Sequence, residues 1–187
     1  MDLTGEPDGE PQKVGVAWID ILTGLYGVIG IQAALAERER SGHGQHVDLS
    51  LFDFGVSALA NQGMNFLAGG LVPHRMGNAH PNIVPYQVFP AADGTIIIAC
   101  GNDRQFASVC TVLGLGAIAG DPTYATNPAR GGNRKTLEGI ISEKTRLRTK
   151  QDLFFALEGA GVPGGAINTV KEAIADSQVS SHLNRSV

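Results

Sequence analysis

Apolar residues crowd every turn of the stretch from Ile19 onward, and the spacing predicts a helix of about twenty residues. They cover most of its circumference, which predicts a helix inside the protein rather than on its surface. Glu37-Arg38-Glu39-Arg40 ends the run, and Ser41-Gly42-His43-Gly44 breaks it as a glycine-terminated helix. Gln45 to Leu51 then alternates Val47, Leu49 and Leu51 against His46, Asp48 and Ser50, the pattern of a half-buried strand. Phe52 to Leu67 returns to helical spacing, closed by Gly69-Gly70.

Leu71 to Pro85 is loop-like, with Pro73, Gly77, Pro81 and Pro85. Tyr86 to Pro90 and Thr95 to Cys100 read as two strands joined through Ala92-Asp93-Gly94, a hairpin turn signal. Helices are predicted over Asp103 to Leu113, about 132–146 and 150–158, the last opening at Thr149-Lys-Gln-Asp152 with the spacing of a capping box. Gly159 to Gly165 reads as a loop, Ala166 to Asn168 as a short strand and Val170 to Ala175 as a short helix. Helix, strand and helix in succession imply an α/β layer, followed by a smaller α+β region.

Of the 187 residues, 43% are hydrophobic and 17% charged, the balance of a soluble globular chain. A formal net charge of −4 leaves no basic face for a nucleic-acid backbone, so no nucleic-acid partner is expected. The acidic, turn-rich opening Met1 to Pro11 is unlike a targeting peptide. The apolar run Ile21 to Ala36 falls short of a bilayer span, so the expectation is a cytoplasmic protein without a membrane partner. Cys100 and Cys110 lie in apolar surroundings without Cys-x-x-Cys spacing and read as buried thiols.

Asp20 stands at the start of the apolar helix, flanked by Trp18, Ile19, Ile21 and Leu22. One reading is a helix N-cap; the other is a carboxylate kept ionised by the helix dipole and shielded from water by its neighbours. An ionised, poorly hydrated carboxylate is what attack on a thioester carbonyl requires. Gly24, Gly27 and Gly30 recur along the same helix, either for close packing or for room beside Asp20. They do not make a dinucleotide fingerprint, because no strand leads in and the Gly-x-Gly turn is missing. His43 and His46, with Asp48 and Asp53, straddle a turn and read as surface residues, so no metal site is expected. Ser50 and Ser57 lack a nucleophile elbow. Gly101-Asn102-Asp103 is a helix cap or a ligand loop, and Arg75 to Asn82 a binding loop or a connector.

Taken together, several ordered stretches resemble the family III CoA-transferases, also called the CaiB/BaiF family, which includes formyl-CoA and succinyl-CoA:dicarboxylate CoA-transferases. They are Thr4 to Pro11 running into Lys13-Val-Gly-Val-Ala17, Asp20-x-x-Thr-Gly24, Ser41-Gly-His-Gly-Gln-His-Val-Asp48-Leu-Ser-Leu51, and Gly77-Asn-Ala-His-Pro81 with Pro85-Tyr-Gln-Val-Phe89 and Asp93-Gly94. Gly101 to Phe106 and Gly161-Val-Pro163 continue the match. The resemblance implies part of a Rossmann-like large domain holding a buried glycine-rich helix over residues 1–70, a small α+β domain over 71–170, and a return segment over 171–187.

It also implies transfer of coenzyme A between carboxylic acids, with Asp20 as nucleophile and Gly77, Asn78, Ala79 and His80 as a loop over the intermediate. In such enzymes the aspartate forms a mixed anhydride and then an aspartyl-CoA thioester. His80 and Pro81 depart from a more glycine-rich loop and suit the subgroup using succinate or glutarate. Acyl-CoA and a small carboxylic acid are the implied partners, with no tightly bound cofactor; no CoA-binding residue is assigned. The match is to a middle portion of the family pattern, without its first domain, so transfer by this chain is expected to be impaired, and a homodimer or a separate N-terminal half is the expected associate. A non-catalytic or partner-dependent half-protein is an alternative. Acyl-CoA racemisation is another, opposed by the lack of any histidine before His43.

Overall fold

The computed structural model describes residues 1–183 and divides into two compact units, Met1–Gly77 and Asn78–Val187; residues 184–187, part of the return segment expected at 171–187, lie outside the described residues. The architecture is a mixture of helices with one small antiparallel sheet.

In the first unit, α1 (Trp18–Ser41) is followed by an extended segment, α2 (Leu51–Ser57) and α3 (Ala60–Gly69). Gly42, at φ 76°, ends α1 in the left-handed region, and its N–H donates to Arg38 O, as the Ser41-Gly42 break predicts. Gly70, at φ 66°, ends α3 in the same way. The helix expected over Phe52–Leu67 is two helices. The chain breaks after Ser57, and Ala60 takes a φ of 47°, with no Gly or Pro between 56 and 60 to signal the break.

Two expectations are corrected here. Gln45–Leu51 is not a strand. Among the described residues it has no ladder partner, and β structure exists only where a second strand supplies hydrogen bonds; Leu51 already belongs to α2. Nor is α1 buried: Gly27 is its one buried residue, while Trp18 is 46% exposed and Ile29 62%. All-round apolarity needs covering elements on every side, and within this unit the helix meets chiefly α2 and the segment before it. The run Ile21–Ala36 also underestimates the helix. At 24 residues α1 is long and apolar enough to cross a bilayer by length and composition.

Segment 47–49 explains two of the three glycines. A β-carbon on Gly27 would lie 3.3 Å from Leu49 Cδ1, and one on Gly30 3.1 Å from Val47 Cγ1. The same strand-like alternation that predicts β structure here thus packs Val47 and Leu49 against a glycine groove on α1.

The second unit holds every buried hydrophobic side chain among the described residues. Its sheet has the order β1-β2-β3, with β1 (Tyr86–Ala91), β2 (Gly94–Ala99) and β3 (Gly164–Ala166) all antiparallel. The hairpin turns at Ala92-Asp93 with Tyr86 opposite Ala99 and Ala91 opposite Gly94, as the turn signal predicts. Ile96, Ile98 and Cys100 alternate onto the buried face. Against them pack α4 (Asp103–Val112), α7 (Arg134–Thr145) and α8 (Lys150–Gly159) through Phe106, Val109, Leu137, Ile141, Leu153 and Leu157. Three short helical pieces, α5 (Gly116–Ala119), a 3₁₀ turn (Pro122–Tyr124) and α6 (Asn127–Gly132), fill the connector after α4; α9 (Val170–Ala175) and α10 (Ser177–Leu183) follow the sheet.

Two local signals land beside their expected place. Strand β3 begins at Gly164, inside the expected loop, because the sheet requires a residue without a side chain there: a β-carbon would meet Ile97 O at 2.9 Å. Gly164→Ala is therefore expected to cost the second unit about 1–3 kcal/mol, read from the shift of its urea unfolding midpoint. The Thr149 hydroxyl caps Asp152 N at 3.2 Å, but the Asp152 carboxylate is held by Arg148, leaving half a capping box. The reciprocal box is Thr169 with Glu172.

Candidate active site

Asp20 lies inside α1, not before it. Ala17 is the N-cap, without a side-chain hydrogen bond, and Asp20 is the third residue of the first turn. The N-cap reading is thus corrected: the helix starts at Trp18, three residues earlier than the Asp20 cap implies. Asp20 still stands in the first turn of α1, at the positive end of the helix. The expected shielding does not: Asp20 is exposed in this chain, as are Trp18 and Ile21 beside it. Its carboxylate accepts no hydrogen bond among the described residues. It lines a cleft of about 410 Å³ with Lys13, Val14, Val16, Trp18 and Ile19.

Thr23, in the Asp20-x-x-Thr-Gly24 stretch, donates its hydroxyl to Ile19 O at 2.7 Å and so closes on its own helix. Gly24 differs from Gly27 and Gly30. A β-carbon there would meet nothing within 4 Å. Gly24 is one helical turn from Asp20 on the same face, so open space adjoins the carboxylate.

The loop Gly77–His80 spans the boundary between the two units. Gly77, at φ 60°, donates its N–H to Gly5 O at 3.0 Å, and a β-carbon would press to 3.1 Å from the Glu6 carboxylate. Positive φ and that close approach together account for glycine here. Asn78 Oδ1 accepts from Val88 N at 2.8 Å, which ties the loop to β1. His80 N donates to Tyr86 O at 2.8 Å, and the two rings stack with centroids 5.0 Å apart. Its Nδ1 accepts from both Asn82 N and Ile83 N, each at 3.1 Å. Burial, and then the nearby Arg134 guanidinium, hold the His80 imidazole below its ordinary pKa. Ala79, next to His80, is half-buried.

Two arginines escaped the sequence reading. Arg134 donates to His80 O at 2.8 Å and Pro81 O at 3.4 Å from α7. Arg130, on α6, is fully buried and donates from Nε to Val84 O at 2.7 Å, past the end of the loop. Neither belongs to a motif; the one available signal was the Asn127-Pro128 helix start preceding them. Asn102, by contrast, fulfils the cap reading of Gly101-Asn102-Asp103, accepting from Gln105 N at 3.0 Å.

The other candidates are structural or superficial. Ser50 caps α2, accepting from Phe52 N and Asp53 N. His43 and His46 are exposed, and among the described residues no group of three or more His, Cys, Asp or Glu is placed to hold a metal ion. Cys100 and Cys110 are free and buried, and burial pushes both thiols up to about 11, so neither is a ready nucleophile. A second hollow of about 640 Å³ in the first unit is almost wholly apolar, lined by Val56, Leu59, Met64, Phe66 and Val72 among others.

The family profile of CoA-transferase family III matches residues 1–183. The chain belongs to that family. It is 54% identical over 179 residues to a succinate–glutarate CoA-transferase of Agrobacterium fabrum, covering 96% of this chain and 45% of the relative. It is 39% identical to the human succinyl-CoA:glutarate CoA-transferase, over 96% of this chain and 41% of that one. Among solved structures, a CaiB/BaiF family protein from Brucella suis superposes with a TM-score of 0.77 at 55% identity, over 97% of this chain and 48% of that chain. Rv3272 from M. tuberculosis shares the fold at a TM-score of 0.82 and 22% identity, over 95% of this chain and 46% of that one. The chain thus spans about half the length of these relatives, and its helix-plus-small-sheet architecture is that of a CaiB/BaiF protein.

Proposed function

We propose that this family III chain moves coenzyme A between two carboxylic acids, with Asp20 as the nucleophile. The observation that carries the reading is the Asp20 carboxylate, in the first turn of α1, lining a cleft and accepting no hydrogen bond among the described residues. A carboxylate oxygen attacks the carbonyl of an acyl-CoA and expels the CoA thiolate, forming a mixed anhydride. The thiolate returns to the aspartyl carbonyl and releases the donor acid, leaving an aspartyl-CoA thioester. The acceptor carboxylate attacks that thioester, a second anhydride forms, and the thiolate takes the acceptor acyl group as Asp20 is regenerated. No redox step and no net proton transfer is needed. The names of the relatives support succinyl-CoA as donor and glutarate as acceptor.

Asp20 supplies the charge and α1 the positive pole beside it, while loop Gly77–His80 serves as the cover over the intermediate. In this reading the exposure of α1 has a consequence: water leaves Asp20 only when further polypeptide, a second copy or a separate half, covers the helix. That exposure is also what favours the partner-dependent alternative. Incubation with succinyl-CoA and hydroxylamine separates the two. A hydroxamate at Asp20, located by peptide mass spectrometry, supports transfer by this chain; unmodified Asp20 with intact thioester supports partner dependence.

Gly24 provides an independent check. Gly24→Ala is expected to raise helix stability by up to about 1 kcal/mol, since the space is open. The added methyl intrudes beside Asp20 and is expected to slow adduct formation about tenfold or more. Unchanged adduct kinetics in a more stable variant would remove Gly24 from the site.

A further inference from the structure

We infer that His80 is the positioning residue of loop Asn78–Ile83, a neutral imidazole whose Nδ1 lone pair gathers the amides of Asn82 and Ile83, so that a proton placed there releases the loop. The geometry is specific about the tautomer. Nδ1 accepts two backbone N–H groups, from Asn82 and Ile83 at 3.1 Å each, and so cannot itself carry hydrogen. The ring hydrogen therefore sits on Nε2. Tyr86 stacks on the ring from β1 and fixes its plane, while Arg134 holds the carbonyls of His80 and Pro81. Imidazole, backbone amides and backbone carbonyls thus define the shape of four consecutive residues.

The surroundings oppose the proton. Arg134 faces the ring from α7 with Glu138 paired to it at 3.4 Å, and Tyr86 lies on β1. From α6, Asn127 is uncharged, donating to Asn82 O at 2.7 Å, and Arg130 is paired with Asp103 of α4 at 2.7 Å. Burial, and then the nearby Arg134, disfavour imidazolium, in line with the lowered pKa. Protonation at Nδ1 turns an acceptor into a donor facing two donors, so both hydrogen bonds are lost together. The loop is accordingly held above the ordinary histidine range and loosens as pH falls through the lowered value. The structural part of this inference stands alone; its consequence for turnover rests on the cover role proposed for the loop.

The test uses the whole 187-residue chain, isotope-labelled, titrated from about pH 8 to pH 5 by nuclear magnetic resonance. The expected result is an Nε2–H imidazole at neutral pH, with the Asn82 and Ile83 amide resonances moving at the His80 midpoint. His80→Asn places an amide oxygen where Nδ1 stands, so both amides should stay protected and cease to titrate. His80→Gln places its amide at the Nε2 position and should speed exchange of both amides at least tenfold. An Nδ1–H tautomer, or amides indifferent to the His80 midpoint, overturns the inference. Turnover reports separately: if the amides behave as expected yet the acid limb of kcat/KM is identical in His80→Asn, the cover role of the loop fails while His80 keeps its place.

Discussion

Asp20→Asn is expected to eliminate the hydroxylamine-trapped adduct and to lower CoA transfer on the order of a thousandfold or more. The amide is nearly isosteric with the carboxylate, so packing and helix geometry are preserved. What is lost is the anionic oxygen that attacks the thioester. Because Asp20 is exposed and makes no side-chain hydrogen bond among the described residues, the change should leave stability within about 0.5 kcal/mol of the parent, apart from a small loss of dipole complementarity. Asp20→Glu retains the charge but moves the oxygen out by one methylene, and is expected to restore little activity, since attack depends on near-ångström placement. The measurement is succinyl-CoA turnover with glutarate, paired with intact-protein mass. Asp20→Asn that transfers CoA at the parent rate would place the nucleophile elsewhere.

The second large effect is on stability. Arg130→Ala is expected to destabilise the Asn78–Val187 unit by about 3–5 kcal/mol, enough to unfold many domains of this size. Arg130 is fully buried, and each of its three guanidinium nitrogens donates. Nε donates to Val84 O at 2.7 Å, Nη1 to Tyr124 O at 3.0 Å and Ala125 O at 3.4 Å, and Nη2 to Asp103 at 2.7 Å. The guanidinium also lies over Phe106, 4.4 Å from the ring centroid. Truncation strands the three carbonyls and opens a cavity, two costs that add. Arg130→Lys should recover only part of the loss, because one ammonium cannot span the three directions of the fork. The Asp103 side chain is more than half exposed, so the carbonyl contacts matter more than the ion pair. Asp103→Asn is expected to cost only about 1 kcal/mol. Urea unfolding followed by far-ultraviolet circular dichroism checks the order; an Asp103→Asn loss equal to that of Arg130→Ala would contradict it.

How much could be read from the chain alone follows from the range of each signal. Glycine endings at Gly42 and Gly70, the Ala92-Asp93-Gly94 hairpin and the Asn102 cap depend on a few neighbouring residues, and they occur where the pattern places them. The strand at 45–51 failed because alternation states only which side chains share a face. Val47 and Leu49 satisfy it by packing against Gly30 and Gly27 rather than by pairing. The family was legible from ordered motifs, among them the one containing Asp20. The supports of the loop and of the residue that follows it were not. Arg130 and Arg134 lie 46 and 54 residues from the carbonyls of Val84 and His80 that they hold.

Sequence by itself determined the glycine endings of α1 and α3, the hairpin, the family and the presence of a carboxylate near the start of the apolar helix, because each is written in contiguous residues or in their order. Tertiary structure alone decided that α1 lies exposed, that β3 starts at Gly164, that His80 and Arg134 hold the loop, and that Arg130 holds the carbonyl of Val84. Burial, strand pairing and the neutralisation of buried polar groups are properties of residues far apart in the chain, and they come into being only when folding brings those residues together.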